Sequence, residues 1–239
     1  MKSINLVKKF LTAAAIASAL TWQASAIIAY DSPSGITVGL QGGGPWILGN
    51  EFQVNSPISV TSIGAFNSGA GGFGSAAEVA IYSLSAGTWS QVPGTFVSFS
   101  GGPGGYTYVG DNAFSSIAPV SLGLGTYAIV AANYGDPNPD FNANTGAGVP
   151  RTTFQTATTA ISMTGTANGS TAFYDSGTSL GLSLPGSISY GGFGGGDPTF
   201  GAGTFDFAVP EASQFALAGI ALLGLVYFGR CYVLRTKLA

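Results

Sequence analysis

Alternation of apolar and polar residues over short runs is the feature that most constrains the fold of this chain. Phe52 and Val54, and later Phe205 and Phe207, place apolar side chains at every second position, the spacing that puts them on one face of a β-strand. No stretch of the segment 27–208 has the 3.6-residue period of a helix. Because no crossover helices separate the runs, the sequence predicts an all-β fold, an antiparallel β-sandwich with jelly-roll-like topology.

The candidate strands are short runs rich in Val, Ile, Thr, Tyr and Phe that lie between clusters of Gly, Pro, Asn and Ser. They are Ile36–Leu40, Ile47–Val54, Ile58–Phe66, Ala77–Leu84, Thr88–Val92, Phe96–Phe99, Tyr106–Val109, Gly125–Ala132, Ala160–Gly165, Thr171–Tyr174 and Thr204–Ala208. Together they predict one domain over residues 27–208, a length that buries roughly 70% of its unfolded surface.

The first 26 residues have the composition of a secretory signal peptide. An apolar run, Phe10–Leu20, follows a basic start and precedes the small-residue cleavage pattern Ala24-Ser25-Ala26. The basic residues of that start are Lys2, Lys8 and Lys9. An uncleaved anchor is the alternative, but so short a run spans only about half of the hydrocarbon core. The sequence predicts cleavage after Ala26.

The last residues, 209–239, contain a second apolar run, Phe215–Gly229, which is apolar on every face. As a helix this run covers roughly 22 Å, and its extension to Leu234 reaches the length of a membrane span if Arg230 snorkels to the interface. A buried C-terminal core helix is the alternative. Basic residues flanking a span favour the cytoplasmic side, which predicts an exported domain before a single transmembrane helix. The basic residues are Arg230, Arg235 and Lys237.

A Pro-Glu motif, a short apolar helix and a basic end resemble the PEP-CTERM sorting signal of Gram-negative bacteria. Val209, Pro210, Glu211 and Ser213 fit the usual wording of that motif, and Ala212 stands where a second proline is commonest. The resemblance implies three partners, namely the export machinery, the membrane and an exosortase that recognises the signal. It also implies a domain that is held in the periplasm, reaches the cell surface or the medium after processing, and is linked to exopolysaccharide.

The first half of the domain carries a second resemblance. It is similar to a β-sandwich module often carried by PEP-CTERM proteins. The stretches that carry the resemblance are Trp46-Ile-Leu-Gly49-Asn-Glu-Phe52, Ile58-Ser-Val-Thr-Ser-Ile-Gly64, Val79-Ala-Ile-Tyr82 and Gly125-Thr-Tyr127. The resemblance implies the fold and no mechanism.

Charge is distributed very unevenly along the chain. Of seven Lys and Arg residues only Arg151 lies in the segment 27–208, whereas nine of ten acidic residues lie there, so this segment carries a net charge of −8. Nucleic-acid binding needs several basic side chains to neutralise phosphates. The sequence therefore predicts no nucleic-acid partner.

Residues for most kinds of catalysis are missing from the sequence. The chain has no histidine, and its one cysteine, Cys231, lies in the C-terminal segment, which excludes Ser-His-Asp and Cys-His triads. A glycosidase with two carboxylates is a minor alternative, and Glu51 and Glu78 are the only glutamates of the domain. Both are expected at strand starts with their side chains in solvent. We predict no catalytic residue and no enzymatic activity.

A loop rich in Asp and Asn is the candidate metal site. Oxygen-bearing side chains at alternate positions are typical of loops that wrap Ca²⁺, but Asp-Pro and Asn-Pro pairs are also ordinary turn chemistry. Both interpretations stay open, and no other cofactor is predicted. The residues are Asp136, Asn138, Asp140 and Asn142.

Two kinds of role are compatible with these observations. One is a structural or interaction protein of the cell surface, and the other is a carbohydrate-binding module, with or without calcium. Aromatic side chains that form a flat exposed row would favour the second role, whereas burial in a core would weaken it. The aromatic candidates are Trp46, Trp89, Tyr106, Tyr108 and Tyr190.

Overall fold

The computed structural model of the chain describes residues 26–29, 44–67, 71–135, 158–162, 172–184, 189–190 and 202–210. Apart from Pro210, all of them belong to one compact unit, Ala26–Val209. In chain order the strands are β1 Ile27–Ile28, β2 Trp46–Val54, β3 Ile58–Phe66, β4 Phe73–Ser85, β5 Thr88–Gln91, β6 Val97–Gly101, β7 Thr107–Val109, β8 Asn112–Leu122, β9 Gly125–Tyr134, β10 Ile161–Ser162, β11 Ala172–Ser176, β12 Ser189–Tyr190 and β13 Gly203–Ala208. A helix that is long and apolar enough to cross a membrane is not found among the described residues.

The strands form two antiparallel sheets. The five-stranded sheet has the order β1-β13-β3-β8-β7, and the eight-stranded sheet has the order β12-β11-β2-β9-β4-β5. In the second sheet β10 continues the line of β11 along β2, and β6 continues the line of β5 along β4. The all-β, antiparallel class that the sequence predicts is confirmed for the described residues.

One hydrophobic core lies between the two sheets. The rings of Phe52 in β2 and Phe205 in β13 meet there with their centroids 5.0 Å apart. The hydroxyl of Tyr134 in β9 donates a hydrogen bond of 2.9 Å to the carbonyl of Phe66 in β3, which joins the sheets through a buried polar contact. Phe52, Val54, Phe205 and Phe207 all belong to this core. The alternation that predicted the fold therefore marks the faces that the two sheets bury against each other.

The strand ends differ from the predicted ones by a few residues, and one long strand was not predicted at all. No run between β7 and β9 meets the sequence criteria, yet β8 lies there and pairs with β3 along the whole of that strand. Its alternation is interrupted by a bulge, because its register with β3 moves from Val120 directly to Ser116. Pro119 lies within this bulge, so the proline that breaks the sequence pattern occupies a position where no ladder hydrogen bond is needed.

Two other candidate strands lie wholly or partly outside the described residues. Ile36–Leu40 lies outside the described residues. Of Ala160–Gly165 the described part ends at residue 162, and its strand is β10, Ile161–Ser162.

The two ends of the compact unit lie side by side in the five-stranded sheet. β1 runs antiparallel to the end of β13, with Ile27 opposite Phe207. Just after β1, the amide of Ala29 donates a hydrogen bond of 2.9 Å to the carbonyl of Phe205. The first residues of the domain thus cover the edge of its last strand.

Candidate functional site

A second apolar cluster lies on the outer face of the eight-stranded sheet, the face directed away from the five-stranded sheet. Small residues of β4 and β9 form its floor and large aromatic residues cover them. Its buried members are Ile47, Ala80, Tyr82, Trp89, Ala128, Val130, Ala132 and Phe173. The ring of Phe173 lies directly on Gly49, where any Cβ atom would collide with it, so the flat packing of this ring on the sheet requires a glycine.

Residues 177–184, which we call the strap, cross this outer face. The amide of Leu180 donates a hydrogen bond of 2.7 Å to the Glu78 carboxylate, and the amide of Gln91 in β5 donates one of 2.8 Å to the carbonyl of Leu182. Leu180 and Leu184 pack against the outer cluster. The strap therefore covers an apolar surface that would otherwise face solvent.

Tyr82 joins the sheet to the strap. Its hydroxyl donates a hydrogen bond of 2.6 Å to the carbonyl of Gly181. Burial raises the pKa of Tyr82 to about 12; the hydrogen bond with Gln91 lowers it somewhat, and the charge of Glu78 raises it. The hydroxyl consequently keeps its proton, and with it this hydrogen bond, throughout the neutral range.

The expected positions of the two glutamates are wrong. Both lie inside their strands rather than at the starts, and the side chain of Glu51 is 0% exposed. Glu51 is opposite Ala128, which is opposite Tyr82, and Glu78 is four residues from Tyr82 along β4. Two strand spacings and four residues of rise separate the two Cα atoms by roughly 16 Å. A glycosidase pair needs carboxyl groups about 5–9.5 Å apart, so these glutamates are not brought together, and Glu78 instead binds the strap.

The aromatic candidates do not form one row. Trp89 is only 7% exposed and contacts Phe173 in the outer cluster, with ring centroids 6.4 Å apart. Tyr106 contacts Phe73 and Phe99 at the edge of the inner core, with centroids 5.9 and 5.1 Å apart. Tyr108 also packs against that core and is half-buried, while the side chain of Tyr190 lies outside what the structure describes. The described members of this set therefore do not form a flat exposed row, which weakens the interpretation of these residues as a sugar-binding platform.

Trp46 also packs against the inner core and is half-buried, but it borders an open cleft as well. The cleft has a volume of about 280 Å³ and lies where β2 begins and β11 ends. The ring of Tyr174 meets the ring of Trp46 edge to face, with centroids 6.1 Å apart and an interplanar angle of 82°. The residues that line the cleft are Gly44, Pro45, Trp46, Ser176, Gly177 and Thr178.

The sequence singles out Trp46 but does not identify the other residues that line this cleft. Ser176 and Thr178 are far from Trp46 in the chain, and only the antiparallel pairing of Ser176 with Trp46 brings them together. No local motif signals such a neighbourhood, although the polar run after Tyr174 is a position where turns often present hydroxyl groups.

Of the predicted processing residues only Ala26, Val209 and Pro210 are described, and none of the predicted metal ligands is. Ala26 is exposed and directly precedes β1, whereas Val209 and Pro210 are half-buried and directly follow β13. Several predicted site residues lie outside the described part: Ala24, Glu211, Ala212, Ser213, Arg230, Arg235 and Lys237, together with the calcium candidates Asp136, Asn138, Asp140 and Asn142. Within the described ranges there is no group of three or more His, Cys, Asp or Glu side chains that could hold a metal ion.

Comparison with known proteins adds no family to these observations. No family model matches the chain, and the searches of curated proteins and of solved structures gave no significant match.

Proposed function

We propose that this chain is an exported protein of the cell surface or extracellular matrix. A signal peptide, residues 1–26, directs export, and residues 215–234 form a transmembrane helix that holds the domain on the periplasmic side. An exosortase then recognises the PEP-CTERM-like motif Val209–Ser213. The β-sandwich domain has a structural or interaction role linked to exopolysaccharide, and it is not an enzyme.

The observation that carries this proposal is where the compact unit begins and ends. Its first strand starts at Ile27, directly after Ala26, and its last strand ends at Ala208. Of the motif Val209–Ser213, only Val209 belongs to the unit, where it packs against the inner core. Most of a signal for export or sorting has to lie outside a folded core, because processing enzymes need accessible chain. The end of the unit follows from strand pairing and burial, whereas the motif is recognised from the sequence alone. The two place the end of the domain at nearly the same residue, which supports the proposal.

The architecture also suits a structural role. We regard its topology as jelly-roll-like, because β2, β3, β4, β8, β9 and β13 alternate between the two sheets in chain order. Both faces of the eight-stranded sheet carry a packed cluster, which gives a cysteine-free domain a large buried surface outside the cell.

A second candidate function, carbohydrate binding, is favoured by the cleft beside Trp46. An aromatic ring next to exposed hydroxyl groups is a common composition for a small-ligand site. This role is compatible with the first, since binding of matrix polysaccharide is one way in which a matrix protein interacts with its surroundings.

Processing in a Gram-negative host that contains an exosortase tests the proposed function. We expect mass spectrometry of the purified protein to find Ile27 as its first residue, and fractionation to find the precursor in the inner membrane with its domain accessible from the periplasm. A double variant, Pro210→Ala with Glu211→Ala, should accumulate in the membrane as the precursor. Ala212→Pro is the matched control and should be processed at least as well as the unsubstituted chain. A protein that keeps residues 1–26 and stays in the cytoplasm would contradict the proposal.

A further inference from the structure

The cleft beside Trp46 has two walls that come from different parts of the chain. Gly44, Pro45 and Trp46 form one wall, and residues 176–178 form the other. The amide of Gly177 donates a hydrogen bond of 2.9 Å to the carbonyl of Pro45, which joins the two walls. Because one wall continues into β2 and the other into β11, which pair with each other, the distance between the walls is set by the sheet.

Both walls are closely packed against the body of the domain. A Cβ atom on Gly177 would lie 2.7 Å from Cδ1 of Ile47, and one on Gly44 would lie 3.0 Å from the carbonyl oxygen of Tyr134. The two glycines therefore press against the body of the domain, while the side chains on either side of Gly177, Ser176 and Thr178, are exposed. Tyr174 supports the Trp46 ring edge-on from the β11 side.

The described residues of the lining combine aromatic and hydroxyl groups, and none of them is charged. Trp46 and Pro45 offer apolar surface, and Ser176 and Thr178 each offer a hydroxyl that both donates and accepts hydrogen bonds. A pyranose ring needs this combination, since its C–H face packs on an aromatic ring while its hydroxyls need partners of both kinds. The volume of about 280 Å³ is just below the range of about 300–1,000 Å³ that is usual for ligand pockets, so the cleft has room for about one ring.

Charge decides which kind of sugar the cleft accepts. The segment 27–208 carries nine acidic residues and one arginine, so its field repels anions. Among the described lining residues no cation is present to hold a carboxylate or a sulfate. An acidic sugar is therefore disfavoured for two reasons: the negative charge of the domain repels it, and no cation among the described lining residues compensates its charge.

We infer that this cleft is a binding subsite for one neutral sugar ring, an end or a side branch of a matrix polysaccharide, stacked on Trp46 and hydrogen-bonded to Ser176 and Thr178. The inference rests on the proposed export of the domain, because only there does it meet such glycans. It deepens the carbohydrate-binding role by naming the site and the ligand class, and it involves no calcium.

Saturation-transfer NMR on the full-length protein, in a detergent without sugar head groups, tests the inference. The probes are the methyl glycosides of glucose, galactose, mannose and N-acetylglucosamine, with methyl glucuronide as the acidic comparison. We expect saturable binding of at least one neutral glycoside with a Kd of about 1 mM or weaker, as befits a ligand of this size. Methyl glucuronide should bind at least ten-fold more weakly.

Two variants place the binding in the cleft. Thr178→Trp fills it and should raise the Kd at least ten-fold. Its matched control is Leu182→Trp, which adds the same side chain at a position of the same strap that is 82% exposed and lies at the far edge of the sheet beside Gln91. This control should leave the Kd unchanged, and the fluorescence and circular dichroism of both variants report whether they fold.

Three outcomes would overturn the inference: no neutral glycoside binds, the affinity survives Thr178→Trp in a folded protein, or methyl glucuronide binds as tightly as the neutral sugars. None of them bears on the mature N-terminus or on the membrane fraction. Failure of sugar binding is thus distinguishable from failure of the proposed export and sorting.

Discussion

Thr95 shows how one hydroxyl takes the place of a missing strand neighbour. β5 and β6 both pair with the same edge of β4, and a gap remains between them at Ile81. The amide of Ile81 donates a hydrogen bond of 3.1 Å to Oγ1 of Thr95, and this hydroxyl donates one of 2.8 Å to the carbonyl of Val92. Thr95 is completely buried, so no water can replace it in this role.

Thr95→Val keeps the shape of the side chain and removes the hydroxyl. The buried amide of Ile81 then loses its partner, and we expect the free energy of unfolding to fall by about 1–3 kcal/mol. Thr88→Val is the matched control, because Thr88 is exposed at the start of β5, and it should change the stability little. Urea denaturation measures both variants, and equal effects of the two would contradict this account.

Asp206 is a half-buried carboxylate in the five-stranded sheet. Its Oδ2 accepts a hydrogen bond of 2.7 Å from the Ser62 hydroxyl, whereas its Oδ1 is buried and receives no hydrogen bond from the described residues. Burial raises the pKa of Asp206, and the hydrogen bond from Ser62 offsets part of this rise. The folded chain therefore binds this proton more readily than the unfolded chain does.

The sign of the pH dependence follows from that difference. The contribution of Asp206 to stability is complete below the unfolded pKa of about 3.9 and is lost as the pH rises through the higher folded pKa. Asp206→Asn keeps an acceptor for Ser62 and removes this loss, so the variant should be more stable than the unsubstituted chain at pH 7. Its advantage should shrink at pH 3.5. Urea denaturation at both pH values measures it; a variant less stable at pH 7, or an advantage independent of pH, would contradict the assignment.

At the scale of elements, the domain protects the edges of its sheets in different ways. The hydroxyl of Tyr106 bonds both the amide and the carbonyl of Ser100 in β6, at 2.7 and 3.0 Å. The strap pairs with β5 through Ser183 and Ser90. β8 is bonded to β7 only over its first residues, and its remaining outer edge, which no described strand covers, carries the bulge with Pro119. A free edge that lacks an amide hydrogen and carries a bulge is a poor template for another chain.

Pro119→Thr restores the missing amide hydrogen and a residue that favours strands. We expect this variant to associate with itself at concentrations where the unsubstituted protein is monodisperse, because its edge can pair with a second copy. Ala118→Thr is the control, since it adds the same exposed side chain and keeps the proline. Light scattering against protein concentration measures the difference, and association of the control alone or of neither variant would refute the role of Pro119.

At the scale of the whole molecule, the domain has almost no positive charge to balance its carboxylates. Segment 27–208 has a net charge of −8, and such a charge destabilises the compact state through self-repulsion. Salt shortens the range of this repulsion from about 30 Å at 0.01 M to about 8 Å at 0.15 M.

Raising the NaCl concentration from 0.01 M to 0.2 M should therefore raise the Tm of the full-length protein. Most of the rise should be complete at the upper concentration, because the screening length is then much smaller than the domain. Sucrose of equal osmolality is the control for effects other than screening. A Tm that falls with NaCl, or that rises equally with sucrose, would show that self-repulsion is not important for the stability of this fold.

The sequence by itself determined the fold class, the inner faces of the strands and the charge of the domain. The alternation at Phe52 and Val54, or at Phe205 and Phe207, can be recognised from neighbouring residues alone. A two-residue period of apolar side chains indicates a β-strand, because only a strand places every second side chain on the same face. β8 escaped this reasoning, since its bulge shifts the period and its proline mimics a loop.

Only the tertiary structure decided what happens on the outer face of the eight-stranded sheet. There Glu51 is buried, Glu78 binds the strap, and Trp89 belongs to a second cluster, although each looks like a surface position in its own strand. The cleft likewise exists because pairing of β2 with β11 brings Trp46 beside Ser176. Such contacts join residues that are far apart in the chain, and the local periodicity of a strand carries no information about which distant segment will cover it.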